Sequence, residues 1–121
     1  KAQRMLAAAA ERVPMEKLSI HFHDTYGQAL ANTLACLELG VAAVDSAVAG
    51  LGGCPFAPGA TGNVATEDVV YMLHGMGIET GIDLDKLIDA AFFISDHLGR
   101  PPVSRVANAM RKRRKPARAA E

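Results

Sequence analysis

The sequence predicts an α/β fold in which parallel strands alternate with helices. Residues 18–23 alternate between apolar and polar side chains, which is typical of a β-strand. Residues 28–39 carry leucines at helical spacing before Gly40, and the short apolar run 42–48 that follows is typical of a second strand. Because a helix joins the two strands, we expect them to be parallel. Such a unit belongs either to an open doubly wound sheet or to a (β/α)8 barrel.

Further helices are predicted on both sides of these strands. The first covers residues 2–12, which are rich in alanine and end before Pro14. A helix after residue 63 could be capped by Asn63 or Thr66, and two more are predicted to begin at caps formed by Asp83 and Ser104. The helix after Asp83 is predicted to end at Gly99. The predicted inner face of the first of these three helices consists of Val69, Val70, Leu73 and Met76. A barrel needs roughly 250 residues, so this chain would supply about its last quarter and we expect it to be a fragment.

Composition narrows the class of function. The chain has 13 basic and 13 acidic side chains, but residues 111–121 hold six Lys/Arg and one Glu, which leaves the first 110 residues with a net charge of −5. We therefore expect a domain over 1–110 and a disordered basic tail over 111–121. The tail has no aromatic residue, so no nucleic-acid partner is predicted. No apolar run approaches the ~20 residues that span a bilayer, and two cysteines are too few for a disulfide framework.

The main candidate for chemistry is His21-Phe22-His23-Asp24 at the end of the first predicted strand. Side chains two apart on a strand share a face and lie about 6.6 to 7 Å apart, so both imidazoles could bind one metal ion. The alternative is an incidental pair at an exposed strand edge. Because parallel strands are usually apolar on both faces, we favour a metal role for His21 and His23.

A glycine-rich loop over residues 50–63 carries the second candidate, Cys54. It contains five glycines and two prolines, which suit close approach to a ligand or a flap that opens and closes. A thiol there could act as acid, base or nucleophile, or could be incidental to a mobile loop. The other cysteine, Cys36, lies in an apolar helical run and is predicted to be a small core residue.

Three further polar residues have two possible roles each. Asn63 could be a helix cap or a neutral oxygen ligand to the same ion as the histidines. Asp24 and Asp45 could each orient an imidazole, or could serve ordinary turn and cap chemistry. His74 and His97 are predicted to be surface residues.

Three stretches of the sequence resemble one family closely. They are HFHDTYGQALAN at 21–32, VDSAVAGLGGCPFAPGATGNVATEDVVYML at 44–73, and residues 77–87. From about residue 13 to about residue 108 the sequence is similar to the hydroxymethylglutaryl-CoA lyases, whose signature includes the cysteine loop. Isopropylmalate and homocitrate synthases share the His-x-His strand but typically read His-x-His-Asn-Asp and lack that loop, so the lyases are preferred.

This resemblance implies the carboxyl-terminal portion of a (β/α)8 TIM barrel, with its last two strands, their helices and extra C-terminal helices. It makes His21, His23 and Asn63 ligands of a divalent metal, Mg²⁺ or Mn²⁺. It makes Cys54 the catalytic thiol and gives His21 a second role as a catalytic proton shuttle. The family's Arg-Asp pair on the first barrel strand, which supplies another ligand, has no counterpart before Lys17.

The resemblance also implies an activity, namely cleavage of 3-hydroxy-3-methylglutaryl-CoA to acetyl-CoA and acetoacetate in leucine catabolism and ketone-body formation. Glu67 and Asp68 would support the base of the cysteine loop. The partner is then an acyl-CoA substrate, with no membrane association, and a homodimer is expected at full length. We expect a cytoplasmic location in a bacterium or the mitochondrial matrix in a eukaryote. The alternatives are an inactive remnant or interaction module, and a related metal-dependent acyl-CoA aldolase or synthase.

Overall fold

The computed structural model describes residues 1–54, 56 and 59–114, so residues 115–121 of the predicted tail lie outside the described residues. The chain divides into two compact units, Lys1–Ala47 with Gly52–Val64, and Val48–Leu51 with Ala65–Glu121. The helices and strands of the described chain are, in order, α1 (Ala2–Ala10), β1 (Ser19–His21), α2 (Ala29–Leu37), β2 (Ala43–Asp45), α3 (Thr66–Gly75), α4 (Leu84–Leu98) and α5 (Arg105–Arg114).

The first unit is a β-α-β unit with α1 packed on α2. Strands β1 and β2 are parallel, in a register that places Ile20 opposite Val44 and His21 opposite Asp45. The alternation predicted for the first strand is confirmed, since Ile20 is buried while Ser19 and His21 are exposed. This agreement confirms the α/β class and the parallel pair. Both strands are shorter than predicted, with three residues each.

The buried face of α2 differs from the leucine stripe of the sequence. Ala29, Thr33 and Cys36 are buried, whereas Leu34 is 38% exposed. Small side chains on the inner face allow the helix backbone to approach its neighbours closely, and the larger leucines flank that contact. Cys36 is fully buried, as predicted, and burial raises the pKa of its thiol.

The second unit consists of α3, α4, α5 and a short 3-10 turn over Val48–Gly50. Its core contains Ala49, Ile88, Ala91 and Ala107. The caps predicted for α4 are confirmed: Asp83 accepts hydrogen bonds from the N–H groups of Asp85 and Lys86, and Gly99 ends the helix at φ 67°.

The start of α3 contradicts the predicted cap. The residue before the helix is Ala65, and no side chain caps it, so neither Asn63 nor Thr66 has that role. The reason is that the chain before α3 is held extended: the N–H of Val64 donates to Phe22 O at 3.1 Å, and Val64 O accepts from the N–H of Ala47 at 3.0 Å. Met76, predicted on the inner face of the helix, lies beyond its end and is 47% exposed.

Helix α5 begins as predicted but extends further along the chain. The hydroxyl of Ser104 accepts a hydrogen bond from the N–H of Ala107 at 3.0 Å, which is N-cap geometry. The helix continues to Arg114, so residues 111–114 of the predicted disordered tail are helical. None of the helices in the described part of the chain has the length and apolar character needed to cross a membrane.

Candidate functional site

The two histidines of the sequence motif lie together on one face of β1 and its continuation. Their ring centroids are 5.4 Å apart, and the ring planes are tilted by 55°. Nδ1 of His21 lies 3.8 Å from Oδ2 of Asp45, which is its register partner on β2. Both side chains of this ion pair are about half exposed. The polar face predicted from the alternating pattern therefore exists, and it includes a carboxylate.

Asn63 joins this face through backbone pairing. It forms an antiparallel bridge with His23, flanked by hydrogen bonds from Asp24 N to Gly62 O (3.2 Å) and from Val64 N to Phe22 O (3.1 Å). One of these bonds lies on each side of the His23–Asn63 pair, so the two residues form a non-hydrogen-bonded pair. In an antiparallel ladder such a pair has the closest side chains, with Cα atoms about 4.5 Å apart on one face. His23 and Asn63, which are 40 positions apart in sequence, are thus cross-strand neighbours.

The acceptors beside the two rings indicate which ring nitrogens remain available. Nδ1 of His23 lies 3.0 Å from the carbonyl oxygen of Thr61. A carbonyl only accepts, so Nδ1 carries the proton and Nε2 keeps its lone pair. In His21 the carboxylate of Asp45 lies 3.8 Å from the same ring nitrogen, Nδ1, which is beyond hydrogen-bond distance but electrostatically favours a proton there. The His23 contact is the arrangement found around ligating histidines, where the second nitrogen donates to an acceptor.

Of the two acidic residues with open roles, only Asp45 faces an imidazole. Oδ1 of Asp24 accepts from the N–H of Ala29 at 3.0 Å, and its carbonyl accepts from the N–H of Gly27 at 2.9 Å. Asp24 therefore forms the turn before α2 and holds the first residue of that helix. No group of three or more His, Cys, Asp or Glu side chains that could hold a metal occurs in the described residues. Two imidazoles and an amide oxygen are a partial ligand set, as expected from the sequence.

Cys54 lies in the same compact unit, in the loop that precedes Asn63. Its thiol is free and partly exposed. Its loop adjoins the other predicted site residues through the backbone: Gly52, two residues before Cys54, lies directly against the carboxamide of Asn63. The structure thus brings three of the four predicted site residues together and leaves Cys54 on the adjoining loop.

One buried acidic residue was not identified as buried from the sequence. Glu67 is fully buried, and Oε1 accepts a hydrogen bond of 2.8 Å from the N–H of Ala49. Burial raises the pKa of this carboxyl, with a smaller opposing effect of the hydrogen bond from Ala49. Ala49 has φ 58°, an unfavourable value for a residue with a Cβ, at the turn that leads into the glycine-rich loop. The sequence around Glu67 did not indicate that this side chain is buried, because acidic residues in the first turn of a helix are usually exposed. Its place in the family signature was the one indication of a role.

Comparison with known proteins matches most of the chain to a protein family. The family model described as HMGL-like matches residues 1–94. The chain is 62% identical over 109 residues to the mitochondrial hydroxymethylglutaryl-CoA lyase of Arabidopsis thaliana, an alignment that covers 90% of this chain and 23% of that protein.

Solved structures resemble the chain to a similar extent. The hydroxymethylglutaryl-CoA lyase of Pseudomonas aeruginosa matches 93% of this chain and 37% of its own, with a TM-score of 0.88 and 54% identity. An HMG-CoA lyase from Acinetobacter baumannii, in complex with coenzyme A and 3-methylmalate, matches 89% of this chain and 35% of its own, with a TM-score of 0.84 and 44% identity. The chain thus spans between about a quarter and two fifths of the length of these relatives. It belongs to the HMGL-like family.

Proposed function

We propose that this chain supplies part of the active site of a metal-dependent carbon-carbon lyase that cleaves 3-hydroxy-3-methylglutaryl-CoA to acetyl-CoA and acetoacetate. The observation that carries the proposal is the single polar face on which His21, His23 and Asn63 meet, with Nδ1 of each ring directed at an acceptor. The relatives named hydroxymethylglutaryl-CoA lyase support the substrate. One of them was solved with coenzyme A, which supports an acyl-CoA partner.

The residues present fit a divalent cation. His21 and His23 would hold it through Nε2 and Asn63 through its amide oxygen, and the remaining oxygen ligands would come from other barrel strands and the substrate. Mg²⁺ and Mn²⁺ suit such a mixed set. When bound, the ion supplies Lewis acidity toward substrate oxygens.

We place β1 and β2 as the last two strands of a TIM barrel, since the strand-helix-strand order and the length of the matched lyases both support that position.

The protein's own groups then account for the proton movements. The tertiary hydroxyl of the substrate loses its proton to a base, the bond from the carbinol carbon to the thioester CH₂ breaks, and the electron pair passes to the enolate of acetyl-CoA. We assign the proton that completes the acetyl CH₃ group to Sγ of Cys54, whose loop also limits access of water. His21, whose Nδ1 lies 3.8 Å from the Asp45 carboxylate, is assigned the proton relay. No proton is consumed overall, since one is removed and one is returned.

The experiment uses the full-length gene product with 3-hydroxy-3-methylglutaryl-CoA, with and without EDTA. We expect Cys54→Ala to lose most of its turnover while retaining wild-type metal content. His23→Ala should lose both metal and turnover. Asp96→Asn, on the exposed surface of α4, serves as the control and should match the wild type.

Three outcomes would contradict the proposal. Full activity of Cys54→Ala would remove the thiol from the mechanism. Cleavage that survives EDTA and His23→Ala would remove the metal. Turnover of other acyl-CoA substrates with none of hydroxymethylglutaryl-CoA would identify a related aldolase or synthase, and a complete lack of activity would favour an inactive remnant. We further propose that the full-length protein is a homodimer, located in the mitochondrial matrix of a eukaryote or in the cytoplasm of a bacterium. The same gene product can be used to check both points.

A further inference from the structure

Gly52 occupies a position where the structure has no room for a side chain. A Cβ built on its backbone would lie 2.7 Å from Nδ2 of Asn63 and 3.6 Å from Cγ of the same residue. Ordinary van der Waals contact begins near 3.4 Å, so the carboxamide or the loop would have to shift by about 0.7 Å to bring a methyl group here to ordinary contact. The backbone of Gly52 also has φ +96°, which few residues other than glycine adopt.

The backbone of Asn63 is fixed independently of this contact. Hydrogen bonds on both sides of the residue, Asp24 N to Gly62 O and Val64 N to Phe22 O, hold it opposite His23. The backbone pairing does not itself set the rotation of the Asn63 side chain. The carboxamide is planar, with the nitrogen and the oxygen on opposite edges. Because Nδ2 lies against Gly52, Oδ1 is turned away from it, and a Cβ at position 52 would not permit this orientation.

We propose that Gly52 is a positioning residue that sets the direction of the Asn63 amide oxygen and thereby the strength of cation binding. The inference rests on the proposed function, in which that oxygen is a ligand. Metal sites tolerate about ±0.2 Å in ligand distance, so a carboxamide shift of about 0.7 Å would take its oxygen out of a good ligand position. Gly52 also belongs to the loop that carries Cys54, so one loop holds the thiol and orients the metal ligand.

The chain provides a matched control for the substitution. Gly40 has φ +97°, and a Cβ there meets nothing within 4 Å. Gly40→Ala therefore introduces the same backbone strain as Gly52→Ala without a contact to any ligand. Gly53→Ala is a second control, since it lies next to Gly52 in the same loop and its Cβ also meets nothing within 4 Å. The difference between Gly52→Ala and these two variants isolates the contact with Asn63.

The test measures Mn²⁺ affinity of the full-length gene product by electron paramagnetic resonance titration. Loss of a group that orients a ligand costs about 10- to 100-fold in metal affinity. We expect Gly52→Ala to lose at least about tenfold, while Gly40→Ala and Gly53→Ala stay within about twofold of the wild type. Asn63→Ala should weaken binding similarly, and the double variant Gly52→Ala/Asn63→Ala should bind no more weakly than Asn63→Ala alone, because both changes act through one group.

A second measurement does not depend on the metal. In metal-free protein labelled with ¹⁵N-asparagine, the side-chain amide resonances of Asn63 should shift in Gly52→Ala and stay in place in Gly40→Ala. Unchanged resonances, or a Gly52→Ala variant that binds Mn²⁺ as tightly as Gly40→Ala, would overturn the inference and leave the proposed function intact. If the wild type binds no Mn²⁺, the proposed metal site is wrong, and the amide resonances alone decide whether Gly52 orients Asn63.

Discussion

Glu67 allows the sharpest prediction, because one buried carboxyl holds one strained backbone position. Its Oε1 is the acceptor for the N–H of Ala49 at 2.8 Å, and both residues are almost completely buried. Removing the acceptor with Glu67→Ala leaves a buried donor unpaired, which costs about 1–3 kcal/mol in the free energy of unfolding. Glu67→Gln keeps an oxygen at this position and should cost less than Glu67→Ala.

The same carboxyl gives a pH dependence with a definite sign. Burial raises the pKa of Glu67 above its ordinary value. The folded state therefore binds this proton more tightly than the unfolded state does. Its contribution to stability is fully present below the unfolded pKa and is lost as the pH rises through the raised folded pKa. Glu67→Gln lacks this titration, so its stability relative to the wild type should increase with pH over that window, by up to about 1.4 kcal/mol per pH unit.

Urea unfolding of the full-length gene product between about pH 5 and 8 measures both effects. The control is Asp96→Asn, an exposed acidic residue of α4 in the same compact unit, which should follow the wild type at every pH. Two results would refute the reasoning. One is a constant difference between Glu67→Gln and the wild type across the range. The other is equal stability of Glu67→Ala and Glu67→Gln.

Three further predictions concern packing and caps and are checked by urea midpoints. Asp68→Ala should destabilise by about 1–3 kcal/mol, since Oδ1 accepts from the hydroxyl of Ser104 at 2.7 Å at the start of α5; an effect below about 0.5 kcal/mol would contradict this. Thr33→Val should stabilise by about 1 kcal/mol, because the buried Thr33 hydroxyl has no hydrogen-bond partner among the described residues, and a loss of stability would show that it is bonded. Arg111→Ala should cost about 0.5–1 kcal/mol, since its guanidinium carbon lies 4.0 Å from the centroid of the Phe92 ring; an unchanged midpoint would count against that contact.

The sequence was most informative where local chemistry decides the structure. The Asp83 cap, the Gly99 terminus and the alternation around Ile20 depend on a few adjacent residues, and all were predicted correctly. The pairing of the two strands followed from the helix that joins them. These features require no knowledge of what lies elsewhere in the chain.

Predictions failed where a distant segment decides. Asn63 resembles a helix cap when only its neighbours are considered, but pairing with the end of β1 holds it extended. Leu34 fits an apolar stripe, but smaller residues line the buried face of α2. Asp68 does lie in the first turn of α3, but nothing near it in the sequence indicated that its carboxylate also holds the start of α5 through Ser104 and the N–H of Val106. For Asn63 and Asp68 the partner lies too far along the chain for local spacing to indicate it.

The acceptor groups beside the two rings bear on the choice between a binding site and an incidental surface pair. Two histidines that merely occur near each other have no reason to direct the same ring nitrogen at an acceptor. Here Nδ1 of His23 faces a backbone carbonyl at 3.0 Å, and Nδ1 of His21 faces the carboxylate of Asp45 at 3.8 Å. The two acceptors come from different segments, the loop before Asn63 and strand β2, and both favour the tautomer with a free Nε2 lone pair. The Asp45 carboxylate also adds negative charge beside the pair, which favours a cation over any neutral or anionic ligand. These features support the proposed cation site over an incidental pair.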